Sequence, residues 1–195
     1  MDIIFATKNK GKLTEVKAIL SEYNVLGMEE VGIHIEVEEN GETFEENAMK
    51  KAVEIMNECG KIVLSDDSGI EIDAFDKAPG VHSARYLGQD TPYLEKNAII
   101  LDKLEGVALE KRTARYVAVI AAAFPDGRSF SAKGVMEGYI GYEPKGENGF
   151  GYDPIFYLHE YGESVAQIPR EVKNKISHRG KALEAMKEIL KVELG

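Results

Sequence analysis

The sequence has a single cysteine, no long hydrophobic run and a deficit of basic residues. With Cys59 alone, an internal disulfide framework is excluded and a cysteine-rich zinc site is disfavoured, so a reducing compartment is the expected location. The longest apolar stretch, Val117 to Phe124, is too short to span a bilayer, and no basic leader precedes the short apolar run near Met1. We therefore expect a cytoplasmic protein with neither a signal peptide nor a membrane segment.

Basic residues are outnumbered, because 24 Lys and Arg face 34 Asp and Glu and the formal net charge is −10. This balance disfavours a broad surface for a phosphate backbone, so nucleic acid is not an expected partner. The net negative charge is still compatible with a small anionic ligand, since a few lysines and backbone amides can form a positive pocket on a negative protein. Repeats and low-complexity blocks are also lacking, and 195 residues suffice for one domain, or for one domain split into two lobes by a cleft.

Two adjacent carboxylates follow a run of apolar or small residues at positions 63–65. The sequence continues as Asp66-Asp67-Ser68-Gly69, a pattern typical of a buried strand that ends at a polar edge. Ligand-binding residues of open α/β sheets lie at the carboxyl ends of strands, and a divalent cation would relieve the charge of neighbouring aspartates. If the extended geometry persists, Asp66 and Asp67 point to opposite faces, so one would meet the ligand and the other would hold the turn. A purely structural turn is the competing interpretation.

A polar loop over residues 7–12 separates a predicted strand at residues 3–6 from a helical pattern that begins at Leu13. Such a junction favours anion binding, because amides at a helix N-terminus point outward and Thr7, Asn9 and Lys12 can supply hydrogen bonds and charge. The glycines and the Lys-Ser/Thr ending of a Walker loop are missing. Helix capping by Thr7 or Asn9, with solvated lysines, is the alternative.

Residues 43–59 predict a second helix, in which Thr43 and Glu46 form a capping box. An acidic segment precedes this helix, and a solvated loop accounts for most of its glutamates. Glu46 therefore has two competing roles, helix capping and metal binding, which the sequence does not separate.

The second half predicts a helix from Thr91, a strong strand from Arg112 to Phe124, and a hairpin connection at residues 125–128 that adds an antiparallel component to the sheet. Residues 147–156 place aromatics among glycines, which permit a close approach of the backbone to a flat ligand. Residues 173–180 supply Lys, Ser, His and Arg near the start of a last helix, where they could grip a base or a phosphate. An ordinary glycine loop and an ordinary cationic face are the alternatives.

Six motifs occur in order along the chain: Thr7-x-Asn9-x-x-Lys12, Gly41-x-Thr43-Phe44-x-Glu46-Asn47-Ala48, Asp66-Asp67-Ser68-Gly69, Ala78-Pro79-Gly80-Val81-x-Ser83-Ala84-Arg85-Tyr86, Gly149-Phe150-Gly151-Tyr152-Asp153-Pro154-x-Phe156 and Lys173-x-x-Ile176-Ser177-His178-Arg179. Together they closely resemble the inosine triphosphate pyrophosphatase family, also called XTP/dITP diphosphatases. The resemblance implies an α/β fold, an elongated mixed β-sheet with flanking helices and two lobes around a central cleft, as a single domain over residues 1–195. It also implies Mg²⁺-dependent hydrolysis of ITP, dITP and XTP to the monophosphate and pyrophosphate by a homodimer.

The resemblance also implies a role for each matched residue. Asp67 would be the catalytic carboxylate and would approach the metal, with Glu38 and Glu46 as further metal ligands. Ser68 would touch the substrate. The triphosphate would be bound by Thr7, Lys8, Asn9, Lys10, Gly11 and Lys12. The purine would be held by Phe150, Gly151, Tyr152, Asp153, Lys173, His178 and Arg179, with Phe150 stacked on the base.

Two departures from the family pattern are visible. Lys8 stands where many members have glycine, and Asp76-Lys77 replaces a frequent Gly-Gly before the Ala-Pro-Gly turn. A Maf-like nucleotide pyrophosphatase, which cleaves the same bond in other nucleotides, is the main alternative enzyme, and the Ser-His-Arg and Phe-Gly-Tyr-Asp blocks argue against it. A non-enzymatic nucleotide sensor is the alternative of a different class, and an acidic pair near a phosphate loop argues for turnover instead.

Overall fold

The computed structural model describes residues 1–195. Its strands are β1 (Asp2–Phe5), β2 (Asn24–Gly27), β3 (Ile62–Ile72), β4 (Thr113–Ala123), β5 (Ser129–Ile140), β6 (Phe156–Leu158) and β7 (Glu163–Ser164). Its α-helices are α1 (Lys10–Ile19), α2 (Phe44–Cys59), α3 (Tyr93–Lys103), α4 (Arg170–Ile176) and α5 (His178–Leu194). None of these helices is long and apolar enough to cross a membrane.

All seven strands belong to one sheet, in the order β2-β1-β3-β4-β5-β6-β7. Strand β1 pairs in parallel with β2 and β3, whereas β6 pairs in antiparallel fashion with β5 and β7. A tight turn joins the neighbouring strands β4 and β5, and in it the amide of Phe124 donates to the carbonyl of Arg128 at 2.9 Å. The predicted α/β class and the mixed sheet are therefore confirmed.

The chain divides into two compact units, and each has a hydrophobic core of its own. The first unit comprises Met1–Ser68, Ala118–Gly134 and His178–Gly195, and the second comprises Gly69–Val117 and Val135–Ser177. Strands β3, β4 and β5 each contribute residues to both units. Every predicted site residue therefore belongs to one unit or the other.

In the first unit, the core forms where apolar faces of helices cover the buried strand β1. Helix α5 buries Ala182, Leu183, Met186 and Leu190, and these positions recur at helical spacing. Strand β5 approaches the start of α5 so closely that a Cβ on Gly134 would lie 2.0 Å from the carbonyl oxygen of His178. Only glycine permits this contact, which places the His178–Arg179 pair against the sheet of this unit.

In the second unit, α3 buries Ile100 against a core that includes Ile70, Tyr152 and Phe156. Strand β5 again uses glycine for a close approach, because a Cβ on Gly138 would lie 2.3 Å from the carbonyl oxygen of Tyr157. The loop of residues 149–153, which we call the aromatic loop, begins with Gly149 at φ +78° and contains Gly151 at φ +69°. Both glycines adopt left-handed backbone that other residues rarely adopt.

Two predictions about local structure are corrected. Residues 66–69 do not form a turn, because β3 runs without a break from Ile62 to Ile72 and all but two of its residues beyond Ile62 are buried. Strand pairing and burial outweigh the turn preference of Asp-Asp-Ser-Gly, and Gly69 is tolerated within the strand. Residues 173–180 are predicted to lie near the start of the last helix, but residues 173–176 belong to a separate helix, α4, which ends at Ile176.

Candidate active site

Asp66 and Asp67 lie in the middle of β3, and their side chains meet different partners. Asp66 bonds to Lys12 of α1 and to Arg179 of α5, whereas Asp67 bonds to Asn47 of α2. Successive side chains of a strand point to opposite faces, so the predicted separation of the two carboxylates is confirmed. One face holds an ion-pair network and the other a carboxylate without a cationic hydrogen-bond partner.

Asp67 is a buried carboxylate whose hydrogen-bond donors are both uncharged. Its Oδ2 accepts from Nδ2 of Asn47 at 3.0 Å, and its Oδ1 accepts from the amide of Ser68 at 2.8 Å. Burial raises the pKa of Asp67 to about 6, and the negative charge of Glu39 adds to the rise, although the bond from Asn47 opposes it. A carboxylate with this pKa can exchange a proton near neutral pH, which suits general base catalysis.

Asn47 is fixed by the loop before its helix. Its Oδ1 accepts from the amide of Gly41 at 2.7 Å, so the side-chain amide is oriented with Nδ2 toward Asp67. A Cβ on Gly41 would lie 2.9 Å from this same Oδ1. The motif from Gly41 to Asn47 therefore serves to hold the carboxylate of Asp67.

Asp66 is almost fully buried and is paired with two cations. Its Oδ2 accepts from Nζ of Lys12 at 2.8 Å and from Nε of Arg179 at 3.3 Å. Burial alone would raise the pKa of Asp66, but Lys12 and Arg179 outweigh it and hold the pKa well below its usual value. Asp66 thus stays ionised, and its role is to orient Lys12 and Arg179 rather than to stabilise a turn.

Arg179 is nearly buried and bonds to three side chains of the first unit. Besides Asp66, its Nη1 donates to Oε2 of Glu15 at 3.1 Å and its Nη2 donates to the hydroxyl of Ser68 at 3.3 Å. Burial opposes the charge of Arg179, but Asp66 and Glu15 outweigh it and raise the pKa. The guanidinium of Arg179 is therefore a positive group of α5 that is held against β3, close to Ser68.

The polar loop at residues 7–12 caps α1. Oδ1 of Asn9 accepts from the amides of Gly11 at 2.9 Å and Lys12 at 3.2 Å, and the amide of Asn9 donates to the hydroxyl of Thr7 at 3.1 Å. Asn9 therefore caps the helix, which is the alternative that the sequence left open. Its side chain occupies the amides of Gly11 and Lys12, which were expected to be free to bind an anion. Lys8 forms an exposed ion pair with Glu36, whereas Lys10 is exposed at the first position of α1.

The predicted metal ligands differ in their surroundings. Oε2 of Glu46 accepts from the amides of Glu42 at 2.7 Å and Thr43 at 3.2 Å, so the capping box is confirmed and engages one carboxylate oxygen. Glu38 is exposed, and its backbone carbonyl accepts from Lys50. The structure contains no group of three or more His, Cys, Asp or Glu side chains arranged to hold a metal ion.

The aromatic loop is held together by Asp153. Its Oδ2 accepts from the amide of Phe150 at 2.8 Å and from Nζ of Lys173 at 2.5 Å, and its Oδ1 accepts from the hydroxyl of Tyr116 at 3.3 Å. A Cβ on Gly149 would lie 2.1 Å from this carboxylate. Burial and the charge of Asp153 raise the pKa of Tyr116 well above its usual value, so its hydroxyl remains a donor.

Phe150 presents an exposed ring, whereas the rest of the aromatic loop is anchored. Its side chain is 60% exposed, and Nζ of Lys173 lies 5.0 Å from the ring centroid. The hydroxyl of the buried Tyr152 donates to the carbonyl of Ser83 at 2.6 Å. A loop anchored by hydrogen bonds, with an exposed aromatic ring beside an ammonium group, is suited to stacking on a flat, polar ligand such as a nucleobase.

Comparison with known proteins assigns the chain to a family. The sequence model of the Ham1 family matches residues 3–189. The dITP/XTP pyrophosphatase of Desulforamulus reducens is 48% identical over 192 residues, which cover 97% of this chain and 96% of that protein. The chain belongs to the Ham1 family. Another relative, the dITP/XTP pyrophosphatase of Bacillus subtilis, is 43% identical over 97% of this chain and 96% of its own length.

Solved structures of Ham1 proteins agree with this assignment. The Staphylococcus aureus Ham1 protein superimposes with a TM-score of 0.92 at 38% identity and covers 99% of this chain and 100% of its own. The HAM1 protein of Coxiella burnetii superimposes with a TM-score of 0.91 at 37% identity and covers 98% of this chain and 99% of its own. The family resemblance inferred from the six motifs is confirmed.

Sequence reasoning missed several residues that shape the site of this Ham1 chain. In the first unit these are Glu15, Glu39, Asn47 and Lys51, and in the second unit they are Ser83, Asn97 and Tyr116. Asn47 and Ser83 lie within two of the six motifs, so their positions could be identified from the sequence, although no role could be assigned to them. The others act through contacts between distant parts of the chain, which no local spacing reveals.

Proposed function

We propose that this Ham1-family protein is a hydrolase that cleaves non-standard purine nucleoside triphosphates, ITP, dITP and XTP, to the monophosphate and pyrophosphate, and so removes them from the nucleotide pool. The names of relatives that match over nearly the whole chain support this substrate class. The structural observation that carries the proposal is Asp67, a buried carboxylate with a pKa of about 6 next to a carboxylate paired with Lys12.

The residues of the first unit suit attack of water on the α-phosphorus. Asp67 accepts a proton from the attacking water or orients that water, and its pKa of about 6 leaves it largely ionised at neutral pH. Lys12 and Arg179, both oriented by Asp66, supply fixed positive charge for the phosphates and for the departing pyrophosphate. No serine or cysteine nucleophile is needed for this reaction.

We propose Mg²⁺ as the cofactor, with Asp67 as its protein ligand and Glu38 or Glu46 as a further ligand. A buried carboxylate that accepts hydrogen bonds only from uncharged amides, beside the negative charge of Glu39, fits a divalent cation. Mg²⁺ is commonly held by one or two carboxylates together with substrate phosphates, so a cluster of three carboxylates is not required. When bound, it would neutralise phosphate charge and polarise the reacting group.

The assignment of substrate parts follows the contacts within each unit. The triphosphate is assigned to Lys12 and the rest of the loop at residues 7–12, and the purine to the aromatic loop with Lys173. His178 and Arg179 remain proposed purine contacts, although the hydrogen bonds of Arg179 run to Asp66, Glu15 and Ser68. A cytoplasmic homodimer is the proposed working form.

The decisive experiment incubates the protein with Mg²⁺ and each of ITP, XTP, GTP, ATP and CTP, and measures pyrophosphate and orthophosphate separately. Pyrophosphate should be the first product, with ITP and XTP preferred. Orthophosphate as the first product, in protein free of contaminating pyrophosphatase, would overturn the assigned bond cleavage. A preference for pyrimidine nucleotides would favour the Maf-like alternative, and intact bound nucleotide after incubation with Mg²⁺ would favour the sensor.

Asp67→Asn tests the catalytic carboxylate, because it removes the charge and basicity while nearly preserving the shape. We expect kcat to fall by about 10² to 10⁴, the range typical of general base catalysis, with the fold and nucleotide binding retained. Asp102→Asn is the matched control, because that aspartate is exposed near the end of α3. A near-wild-type kcat for Asp67→Asn would refute the assignment.

The metal assignment is tested by Glu38→Gln, Glu46→Gln and the double variant. At least one change should raise the Mg²⁺ concentration needed for half-maximal activity. Because Glu46 also caps α2, the circular dichroism of each variant serves as a control for helix content. Unchanged metal dependence in all three proteins would remove both glutamates from the metal shell.

A further inference from the structure

Helix α3 contacts the aromatic loop through two residues one helical turn apart. Nδ2 of Asn97 donates to the carbonyl of Gly151 at 3.1 Å. The rings of Tyr93 and Tyr152 pack edge to face with centroids 5.2 Å apart. Residues four apart share a helix face, so Tyr93 and Asn97 together form one surface beneath the loop.

The same helix is anchored to the segment that carries Ser83. Lys96 is almost fully buried, and its Nζ donates to the carbonyl of Ala84 at 2.9 Å while lying 5.0 Å from the ring centroid of Tyr93. Tyr152 bonds to the carbonyl of Ser83 in that segment. The aromatic loop, α3 and residues 83–84 thus all contact one another within the second unit. Asn97 makes the one hydrogen bond from α3 to the backbone of the aromatic loop.

Asn97 has a feature that packing alone does not explain. Its side chain is 4% exposed, and its Oδ1 is buried without any hydrogen-bond partner. An unsatisfied buried acceptor lowers the stability of the folded protein, and leucine has nearly the same size without this cost. The amide orientation is set by Gly151, since a flipped side chain would bring Oδ1 against the carbonyl oxygen. A polar residue that lowers stability where an apolar one would fit indicates a role in function.

We propose that Asn97 is a positioning residue for base recognition, a role that rests on the proposed binding of the purine by the aromatic loop. By holding the carbonyl of Gly151, Asn97 fixes the backbone next to Phe150 and so sets the plane of the exposed ring. Gly151 is only half-buried, so its carbonyl can bond to water once Asn97 is replaced. The loop then loses its preferred geometry while the core of the unit remains intact.

Two substitutions test the proposal. Asn97→Leu removes the donor and the unpaired acceptor together, and Asn97→Asp keeps the shape but places a carboxylate oxygen against the carbonyl of Gly151. Asn57→Leu, at an exposed position of α2, is the matched control. The readouts are kcat and KM for ITP, the inhibition constant of tripolyphosphate, which carries no base, and the free energy of unfolding in urea.

For Asn97→Leu we expect the KM for ITP to rise about tenfold, with a smaller change in kcat, an unchanged inhibition constant for tripolyphosphate and no loss of stability. Asn97→Asp should raise the KM at least as much. A wild-type KM in both variants would overturn the proposal. So would a uniform loss of activity together with lower stability in Asn97→Leu, because that result describes a purely structural residue.

A binding measurement separates this proposal from the proposed reaction. The chain has no tryptophan, so Phe150→Trp introduces a single indole on the loop. Titration with inosine monophosphate should change its fluorescence, and Asn97→Leu in the same background should raise the dissociation constant about tenfold. If the wild type released no pyrophosphate from ITP, the proposed reaction would fail, and this titration would still decide the role of Asn97. An equal dissociation constant in both proteins would reject it.

Discussion

Neighbouring carboxylates on β3 are given different properties by their surroundings. Asp66 is ionised because Lys12 and Arg179 pair with it, whereas Asp67 has a raised pKa because its burial outweighs the hydrogen bonds from its uncharged donors. Strand geometry makes this possible, since adjacent side chains point to opposite faces. One carboxylate is thereby suited to orienting cations and the other to exchanging protons, a division that recurs at sites where environments separate two pKa values.

The raised pKa of Asp67 predicts how the stability of the metal-free protein depends on pH. Between the pKa of 3.8 in the unfolded chain and about 6 in the folded protein, the folded state binds more protons. The free energy of unfolding should therefore fall as the pH rises through this window, by about 2 to 3 kcal/mol in total. Urea unfolding in EDTA between pH 4 and pH 7.5 measures this contribution as the difference between wild type and Asp67→Asn.

The comparison with Asp67→Asn is needed because other groups also titrate in this range. The variant should gain stability relative to wild type as the pH rises, and Asp102→Asn should show no such gain. Added Mg²⁺ should reduce the difference at neutral pH if Asp67 binds the ion. A constant difference between wild type and Asp67→Asn across the window would contradict the raised pKa.

Asp66→Asn should have the opposite effect on stability at neutral pH. The change leaves Lys12 and the nearly buried Arg179 without their shared carboxylate, and loss of one partner from a buried ion pair costs about 3 to 5 kcal/mol. Since Glu15 still pairs with Arg179, we expect the lower end of that range. Because the pKa of Asp66 is lowered, its contribution is present above the unfolded pKa and is lost as the pH falls.

The measurement is urea unfolding of Asp66→Asn, Asp67→Asn and Asp102→Asn at pH 7.5 in EDTA. The first variant should be less stable than wild type and the second more stable, although the two residues are adjacent. Equal effects of the first two variants would show that the surroundings of the two carboxylates do not differ as described.

At the level of elements, the sequence predicted the parts whose signals are local. The helical patterns of α1 and α2 begin after recognisable N-caps at Asn9 and Thr43, and both caps are present. Strand β4 is an apolar run followed by a turn sequence, and it was also predicted. These elements carry their own periodicity and their own boundary residues, so no knowledge of neighbours is required.

The elements that were missed depend on neighbours. Strand β3 passes through Asp-Asp-Ser-Gly because it pairs with β1 at residues 62–64 and with β4 along its other edge, and because most of its residues are buried. Strands β6 and β7 are too short to show alternation, and they exist because they pair with β5 and with each other. Tertiary contacts override local preference in each case.

The departure at Asp76-Lys77 has a structural consequence. Both residues adopt left-handed backbone, with φ of 52° and 68°, at the two positions where the family resemblance leads us to expect Gly-Gly. A non-glycine residue in this region costs about 1 to 2 kcal/mol, and part of the gain from glycine is offset by the greater freedom of the unfolded chain. We expect Lys77→Gly to raise the free energy of unfolding by up to about 1 kcal/mol.

Thermal and urea unfolding of Lys77→Gly measure this gain. Lys111→Gly is the matched control, because Lys111 is also exposed but its φ is not positive. Lys111→Gly should lower the free energy of unfolding, because glycine relieves no backbone strain there and only increases the conformational entropy of the unfolded chain. A loss of stability in Lys77→Gly equal to that in the control would contradict the strain at this loop.

At the scale of the whole molecule, the site residues divide between two units with separate cores. The carboxylates, Lys12 and Arg179 belong to the first unit, and the aromatic loop and Lys173 belong to the second. The motifs identified both groups of residues, but not the unit to which each residue belongs. Lys173 and Arg179, for example, are six residues apart and yet belong to different units. The partners Glu15 and Asn97 were beyond sequence reasoning for the same reason, since only the folded chain brings them to Arg179 and Gly151.

This division predicts that substrate recognition has two separable parts, one for the phosphates and one for the base. Hypoxanthine and xanthine present O6 as an acceptor where adenine has an amine, so donors near the base should favour ITP and XTP over ATP. Guanine shares O6, and its rejection requires a clash or an unmet donor at its 2-amino group. The expected order of kcat/KM is therefore ITP and XTP, then GTP, with ATP and pyrimidine nucleotides far behind.

Phe150→Ala tests the separation, because it removes the exposed ring and leaves every carboxylate of the first unit in place. Stacking of a base on an aromatic ring contributes about 1 to 3 kcal/mol, so kcat/KM for ITP should fall by about ten- to a hundredfold. The inhibition constant of tripolyphosphate should not change, because this ligand has no base to stack. Tyr161→Ala is the control, since that ring is also partly exposed in the second unit but lies outside the aromatic loop. Equal losses for ITP and tripolyphosphate would show that Phe150 supports the phosphate site as well, and equal kcat/KM for ITP and ATP in the wild type would refute the predicted base preference.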